Sequence, residues 1–311
     1  MNPNLEIKIG KMKLSNPVMV ASGTFGYGEE FADFMDLKKL GAIVSKTITL
    51  NPRQGNPAPR TCETPCGMLN SIGLENFGVE RFIKEKLPLL KKIGIPVIVS
   101  IASEKEPDEF IKLAKRLSGL SAVSAIELNI SCPNIKGARG KGQGVGLIAQ
   151  DAKATYEVVR AVRKTTDKIL IVKLTPNVTS IGEIALRAAE AGADALSLIN
   201  TLNGMSIDVQ TRKPKIAMVT AGLSGPAIRP VAVKMVWEVH NKVKIPIIGM
   251  GGIIDTNSAL EFLIVGASAI SIGTANFINP KTSIEIIEGI KNYMKVNKIS
   301  DIKDLTGSLQ A

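Results

Sequence analysis

The sequence predicts an α/β fold, a (β/α)8 TIM barrel with an N-terminal β-hairpin and long active-site loops at the C-terminal face. Three observations predict it. Eight short β-branched runs recur along the chain, and amphipathic helical stretches separate them. The runs are apolar on both faces, as parallel strands buried under helices must be. Eight such units in one chain point to a closed barrel. An open doubly wound sheet is the alternative, but no G-x-G-x-x-G turn follows the first run.

Taken in order, LEIKIGKMKLSNP alternates around a Gly-Lys turn and predicts a hairpin that plugs the N-terminal end of the barrel. The eight strands follow as PVMVAS (17–22), AIVSKTI (42–48), VIVSI (97–101), AIELNI (125–130), ILIVKL (169–174), ALSLIN (195–200), IPIIGM (245–250) and AISIG (269–273). EFIKLAKRL, AKATYEVVRAVRKT, SIGEIALRAAEAGA, PVAVKMVWEVHNKV and TNSALEFLIVGAS carry helical spacing between them. Two connections, residues 50–80 after the second strand and 201–228 after the sixth, are too long for plain βα loops. Both leave from C-terminal strand ends, where barrels build active sites. No tandem repeat or low-complexity linker interrupts the chain, so residues 1–311 are read as one domain.

Composition narrows the function classes. The 311 residues are 45% apolar and 22% charged, enough to bury a substantial core. No apolar stretch approaches the roughly 20 residues a membrane helix needs, and no signal-peptide pattern opens the chain. Three cysteines fit a reducing cytoplasm rather than a disulfide scaffold. The net charge of +11 raises nucleic-acid binding, but the basic residues alternate with apolar ones at helical spacing, as in RFIKEKLPLLKK, and aromatics are only 4%. A solvated helical exterior is the preferred reading, with some capacity to attract anionic ligands. The single histidine, His240, excludes multi-histidine chemistry and is expected to be solvated or to cap a helix C-terminus. Cys62 and Cys66 in CETPC are half of a zinc or cluster site with no second pair, so they are read as loop thiols and no metal is expected.

The strand ends carry unusual polar residues: Ser22, Lys46-Thr47, Asn129, Lys173 and Asn200-Thr201. Each alone could cap a helix or satisfy a loop. Two lysines facing one barrel mouth, however, repel and suffer desolvation unless an anionic or electron-rich ligand lies between them. After the seventh and eighth strands come GMGGI and SIGTANF, where glycine lets backbone N–H groups approach a phosphate. Gly251, Gly252, Gly273 and Thr274 are therefore the phosphate candidates, in the loops barrels often use for that purpose.

The motifs NPVMVASGTFGYGEE, SKTITLNPRQGNPAPR, GMLNSIGLEN, AIELNISCPN, VKLTPNVT, SLINTLNG, GLSGPAIRPVA, PIIGMGGI and IGTANF occur in an order that resembles the dihydroorotate dehydrogenase family over nearly the whole chain. They are similar to its NAD-linked class 1B. The membrane-bound quinone-dependent type carries an amphipathic N-terminal extension and a serine in place of Cys132. The resemblance implies bound FMN and oxidation of (S)-dihydroorotate to orotate, the redox step of de novo pyrimidine (UMP) biosynthesis. A proton leaves C5, and a hydride passes from C6 to flavin N5. Cys132 would be the general base. An unperturbed thiol has a pKa of about 8.5, so activity should rise toward alkaline pH unless nearby cations lower that value.

The resemblance also implies that Asn70, Asn129, Asn134 and Asn200 hold the substrate ring, with Ser71, Ile72, Gly73, Leu74 and Thr201 nearby. A carboxamide offers both donor and acceptor to such an edge without adding charge. Lys46 would sit near both flavin and substrate, and Lys173 by the flavin ring, where a cation stabilises the anionic reduced form. Ser22, Thr47, Asn129, Ile199 and Gly225 would complete the flavin site with the four phosphate candidates. At position 100 the family pattern leads one to expect an asparagine touching the flavin, and Ser100 stands there. The glycine-rich GARGKGQGVG (137–146) is expected to act as a lid that excludes water.

Three rival readings remain. RGKGQGVGLIAQD resembles a loop in the catalytic part of dihydropyrimidine dehydrogenase, an FMN barrel that reduces uracil or thymine, although GMLNSIGLEN matches the dihydroorotate enzymes better. A class 1A-like enzyme using fumarate is the second. A catalytically silent flavin- or phosphate-binding scaffold is the third, and Cys132 with four asparagines argues against it. Class 1B enzymes pass electrons to NAD through a separate subunit carrying FAD and a 2Fe-2S cluster. This chain lacks a four-cysteine ligand set, so the cluster is expected on that partner, in a cytoplasmic heterotetramer built on a homodimer of this chain.

Overall fold

The computed structural model describes residues 2–103, 107–131 and 145–310. The N-terminal hairpin pairs β1 (Ile7–Ile9) with β2 (Met12–Leu14). Its turn uses Gly10 at φ 54°, a left-handed conformation that glycine adopts without a Cβ penalty. Ile7, Ile9, Met12 and Leu14 are buried in the same core as the barrel strands, and Gly10 lies against Ile169.

The first barrel strands are β3 (Val18–Val20) and β4 (Ala42–Val44), followed by the hairpin β5 (Thr61–Thr64) and β6 (Gly67–Asn70). Barrel strands β7 (Val97–Ile101), β8 (Ala125–Asn129), β9 (Ile169–Lys173) and β10 (Ala195–Leu198) come next. After them come β11 (Leu202–Met205), the short pair β12 (Ile207–Asp208) and β13 (Lys213–Pro214), and β14 (Thr220–Ser224). The last barrel strands are β15 (Ile247–Gly249) and β16 (Ala269–Ile272). The eight barrel strands close in chain order, every neighbouring pair parallel, with β16 returning to β3 through Ile270↔Val18. The predicted barrel and hairpin are both present.

Every residue of these eight strands is buried, as both-face burial of a parallel sheet requires. Several apolar runs continue past the hydrogen-bonded ladder. The extra residues, among them Ala21, Ser22, Lys46 and Asn200, line the cleft at the C-terminal mouth.

Helices occupy the outside. After β6, α1 (Gly78–Arg81) runs through a π-helical turn, Phe82–Lys86, into α2 (Leu87–Ile93), which ends at Gly94 with φ 82°. There follow α3 (Pro107–Ser118), α4 (Ala152–Arg163), α5 (Ile181–Glu190), α6 (Arg229–His240), α7 (Thr256–Ile264), α8 (Ala275–Ile278) and α9 (Thr282–Val296). Asp151 caps α4 by accepting from Ala154 N at 2.7 Å, and Asp255 forms a reciprocal capping box with Ser258 at the start of α7. No helix among the described residues is long and apolar enough to cross a membrane.

The two long connections do more than extend the barrel mouth. β11, β14, β6 and β5 form one four-stranded antiparallel sheet in that order, so the excursion after β4 pairs with the excursion after β10. His240 closes α6, at the helix C-terminus where it was expected. It is half-buried at the end of α6, and its ring packs so closely against Gly266 and Gly307 that a methyl group on either glycine would overlap it, at 2.2 and 2.7 Å. Cys62 and Cys66 are free thiols, at β5 and in the turn that follows it.

Candidate active site

Parallel register dictates which side chains reach the mouth. Asn129 at the end of β8 stands opposite Lys173 at the end of β9, and Lys173 stands opposite Ser197 on β10. Side chains two residues apart on a strand share a face, so Asn129 and Glu127 both point inward. Glu127 lies below the mouth, where its carboxylate accepts a hydrogen bond from Ser197 Oγ at 3.0 Å.

Above this layer opens a cleft of about 360 Å³. Its walls bring together Ser22, Lys46, Thr47, Asn129, Lys173, Ile199, Asn200 and Thr201 from the barrel ends. The antiparallel sheet and its flanking loop contribute Asn70, Ile72, Gly73 and Leu74, while Gly225, Gly251, Gly252, Gly273 and Thr274 line the far side. Two predicted residues stand behind the wall. Ser100 is fully buried and bonds Thr47 Oγ1 at 2.9 Å, so it supports a wall residue instead of forming the wall. Ser71 is also fully buried, and its hydroxyl has no partner among the described residues. Cys132 and Asn134, together with residues 137–144 of the predicted lid, lie outside the described residues.

The polar groups are wired to one another. Asn129 Nδ2 donates to Thr47 Oγ1 at 3.2 Å, and its Oδ1 accepts from Ser131 Oγ at 3.1 Å. Asn200 Nδ2 donates to Ser131 O at 3.1 Å and Ser131 Oγ at 2.9 Å. Ser131, the last described residue before Cys132, is therefore held by carboxamides from β8 and from Asn200, two residues beyond β10. Thr274 Oγ1 bonds Ser224 Oγ at 2.8 Å, tying the loop after β16 to the end of β14.

The two lysines differ. Lys173 is 4% exposed, and its ammonium donates to Ser22 Oγ at 3.2 Å. Lys46 is half-buried, with no hydrogen bond or ion pair from its ammonium among the described residues. Burial pushes the Lys46 ammonium below the usual lysine value; Glu75 opposes this, Arg60 adds to it, and Glu30 opposes it. Glu75 is engaged by Arg60 at 2.6 Å. An anionic or electron-rich ligand between the lysines would relieve both.

Gly273 has ordinary backbone, and a Cβ built on it would meet only Ala21 Cβ, at 3.9 Å. No neighbouring protein atom demands glycine there, yet a side chain would intrude into the cleft, as expected of a position kept bare for a ligand. The cleft also contains residues the sequence reading did not single out, including Arg60, Met68, Glu75, Ser224 and Phe277. Arg60 and Ser224 lie within the motifs SKTITLNPRQGNPAPR and GLSGPAIRPVA, which were the available signal.

A family model described as dihydroorotate dehydrogenase matches residues 4–294. The chain is 52% identical over 307 residues to a protein of Geotalea uraniireducens (strain Rf4) named dihydroorotate dehydrogenase B (NAD(+)), catalytic subunit, covering 99% of this chain and 98% of that protein. A protein of the same name from Thermoanaerobacter pseudethanolicus is 52% identical over 307 residues, with 99% of each chain covered. One from Trichlorobacter lovleyi is 51% identical over 310 residues, with 100% of each covered.

Proposed function

This chain belongs to the dihydroorotate dehydrogenase family, and we propose from that premise that it is the catalytic subunit of an NAD-linked enzyme oxidising (S)-dihydroorotate to orotate in pyrimidine synthesis. The observation that carries the reading is the convergence of Lys46, Lys173 and the carboxamides of Asn70, Asn129 and Asn200 on one cleft whose far side is built of glycine loops.

The donor set of the cleft fits FMN. Gly251, Gly252, Gly273 and Thr274 would hold its phosphate, where backbone N–H groups can come close. Ser22, Thr47, Asn129, Lys173, Ile199 and Gly225 would hold the rest, with Ser100 acting through Thr47. When bound, FMN supplies the two-electron acceptor. Lys173 places a fixed positive charge in a dry site, where it favours added negative charge at little reorganisation cost. Asn70, Asn129, Asn134 and Asn200 orient the planar substrate by its edge, and Ser71 to Leu74 with Thr201 close around it. Lys46, partly desolvated and without a counter-ion in contact among the described residues, is suited to the substrate carboxylate.

Cys132 takes the C5 proton as general base. Its role rests on its place in the family motif, immediately after the pinned Ser131. Residues 137–146 would exclude water as a lid. Electrons would leave for NAD through a partner chain that would carry FAD and a 2Fe-2S cluster, in a cytoplasmic heterotetramer; the words "catalytic subunit" in the relatives' names support a partner.

Anaerobic addition of dihydroorotate to the purified flavoprotein tests the reading. Loss of visible flavin absorbance is expected, and Cys132→Ala should keep its flavin while bleaching about 10²–10⁴-fold more slowly. Bleaching of that variant at the parental rate sinks the base assignment. A parental enzyme inert to dihydroorotate, yet consuming NADPH when given uracil, sinks the substrate.

A further inference from the structure

At the opposite end of the barrel from the mouth, a second recess of about 710 Å³ opens between the N-terminal hairpin and the loops that precede β8 and β9. Four lysines line it: Lys11, Lys13, Lys164 and Lys168. Asp167 is the one acidic residue in its lining. A fifth lysine, Lys8, stands directly across the hairpin from Lys13. Like charges directly opposite one another on paired strands destabilise the pair.

Some cations of the helical exterior are ion-paired, although others, Lys91 and Lys92 among them, have no such partner among the described residues. Lys86 meets Glu29, Arg116 meets Glu80, Arg187 meets Glu190 and Lys234 meets Glu238. In the recess no lysine has an ion-pair partner among the described residues. The ammoniums of Lys13 and Lys164 make no hydrogen bond among the described residues either. Lys168 donates to the carbonyls of Leu120 at 2.9 Å and Val123 at 2.7 Å, which fixes its ammonium and leaves one N–H free. Lys11 reaches Asp167 O at 3.3 Å and keeps two N–H groups free. Burial lowers the Lys168 ammonium below the usual lysine value, and the charge of Lys11 pushes it the same way. Ser124 offers its hydroxyl proton as well, since its oxygen accepts from Val97 N.

We propose that this recess is a binding site for a multiply charged phosphate anion, an organic phosphate or a polyphosphate, separate from the catalytic cleft. Several mutually repelling ammoniums around a concave surface are stabilised together by one polyanion. Lysine serves as a point-charge phosphate binder. A lone carboxylate would leave most of the charge uncompensated. The site is independent of the flavin and substrate assignments.

Calorimetric titration of the full-length protein at physiological ionic strength, with inorganic tripolyphosphate and with ATP as probes, tests it. Saturable 1:1 binding that weakens as salt rises is expected. The double variant Lys13→Gln/Lys164→Gln, which alters two solvent-facing side chains, should bind at least ten-fold more weakly. The control pair Lys291→Gln/Lys295→Gln on α9 removes the same charge outside the recess and should bind normally. Equal affinity for both probes assigns recognition to the phosphate chain, and tighter ATP binding assigns an organic phosphate; either supports the site. Absence of saturable binding, or equal loss in both double variants, overturns it. So does affinity that grows with the length of a single-stranded oligonucleotide, which would make the surface a nucleic-acid track.

Discussion

Lys46 and Lys173 show how one side-chain type does two jobs in the lining of one cleft. Lys173 is almost fully buried and held by Ser22, so its charge is fixed in place. Lys46 has a lowered pKa from burial, and the sign of that shift makes a prediction. A lysine whose folded value lies below its unfolded value binds fewer protons when folded, so in the window between the two values stability rises with pH. Binding of a carboxylate reverses this: it restores the ammonium, takes up a proton, and weakens as pH climbs toward 10.5. Orotate affinity, read by spectral titration of the oxidised enzyme, should therefore fall at alkaline pH. Lys46→Met should bind more weakly and lose that pH dependence; a flat profile in the parent would separate Lys46 from the substrate. Gly273 carries the complementary prediction. Because the space beside it is open, Gly273→Val should leave the thermal midpoint of the flavin-free protein nearly unchanged while weakening flavin binding about ten-fold or more. Equilibrium dialysis against FMN would measure it.

The element scale explains what the sequence could and could not reveal. The eight barrel strands were legible because parallel strands covered on both sides read as unbroken apolar runs. Their polar ends were legible as a site because β-strand register sends them all to one mouth. The four-stranded sheet was not legible. Its strands are short and half-exposed, and its central pairing joins Leu69 to Leu223, more than 150 positions apart, with no turn between them to announce it. The place of Ser100 was hidden for a related reason: whether a polar residue forms a wall or backs one depends on a neighbour, Thr47, in the loop that leaves β4. The sheet depends on close backbone approach at Gly67, where a Cβ would come within 2.1 Å of Ser224 O. Gly67→Ala must push β6 from β14, at a cost of about 1–3 kcal/mol. Asn70 lies at the other end of β6, and Ser224, bonded to Thr274, lies at the cleft. The variant should raise KM for dihydroorotate several-fold while leaving the helical content seen by circular dichroism unchanged. An unaltered KM would show that the sheet does not position the site.

At the scale of the whole molecule the barrel divides its work between its two ends. The C-terminal mouth tolerates buried polar groups, half-buried lysines and bare glycines because a ligand completes them. At the N-terminal end the hairpin packs onto the barrel, with Ile9 and Leu14 fully buried in the common core. Removing apolar volume there leaves a cavity that no ligand fills, so Ile9→Ala should cost about 2–5 kcal/mol. In a chain of 311 residues that corresponds to a fall in thermal midpoint of roughly 3–8 °C. The same variant should bind FMN and orotate as the parent does, since no hairpin residue lines the cleft among the described residues. Scanning calorimetry and spectral titration on one preparation separate the two effects. A loss of ligand affinity matching the loss of stability would mean that the two ends are coupled through the barrel layer containing Glu127 and Ser197, and the division of labour would have to be abandoned.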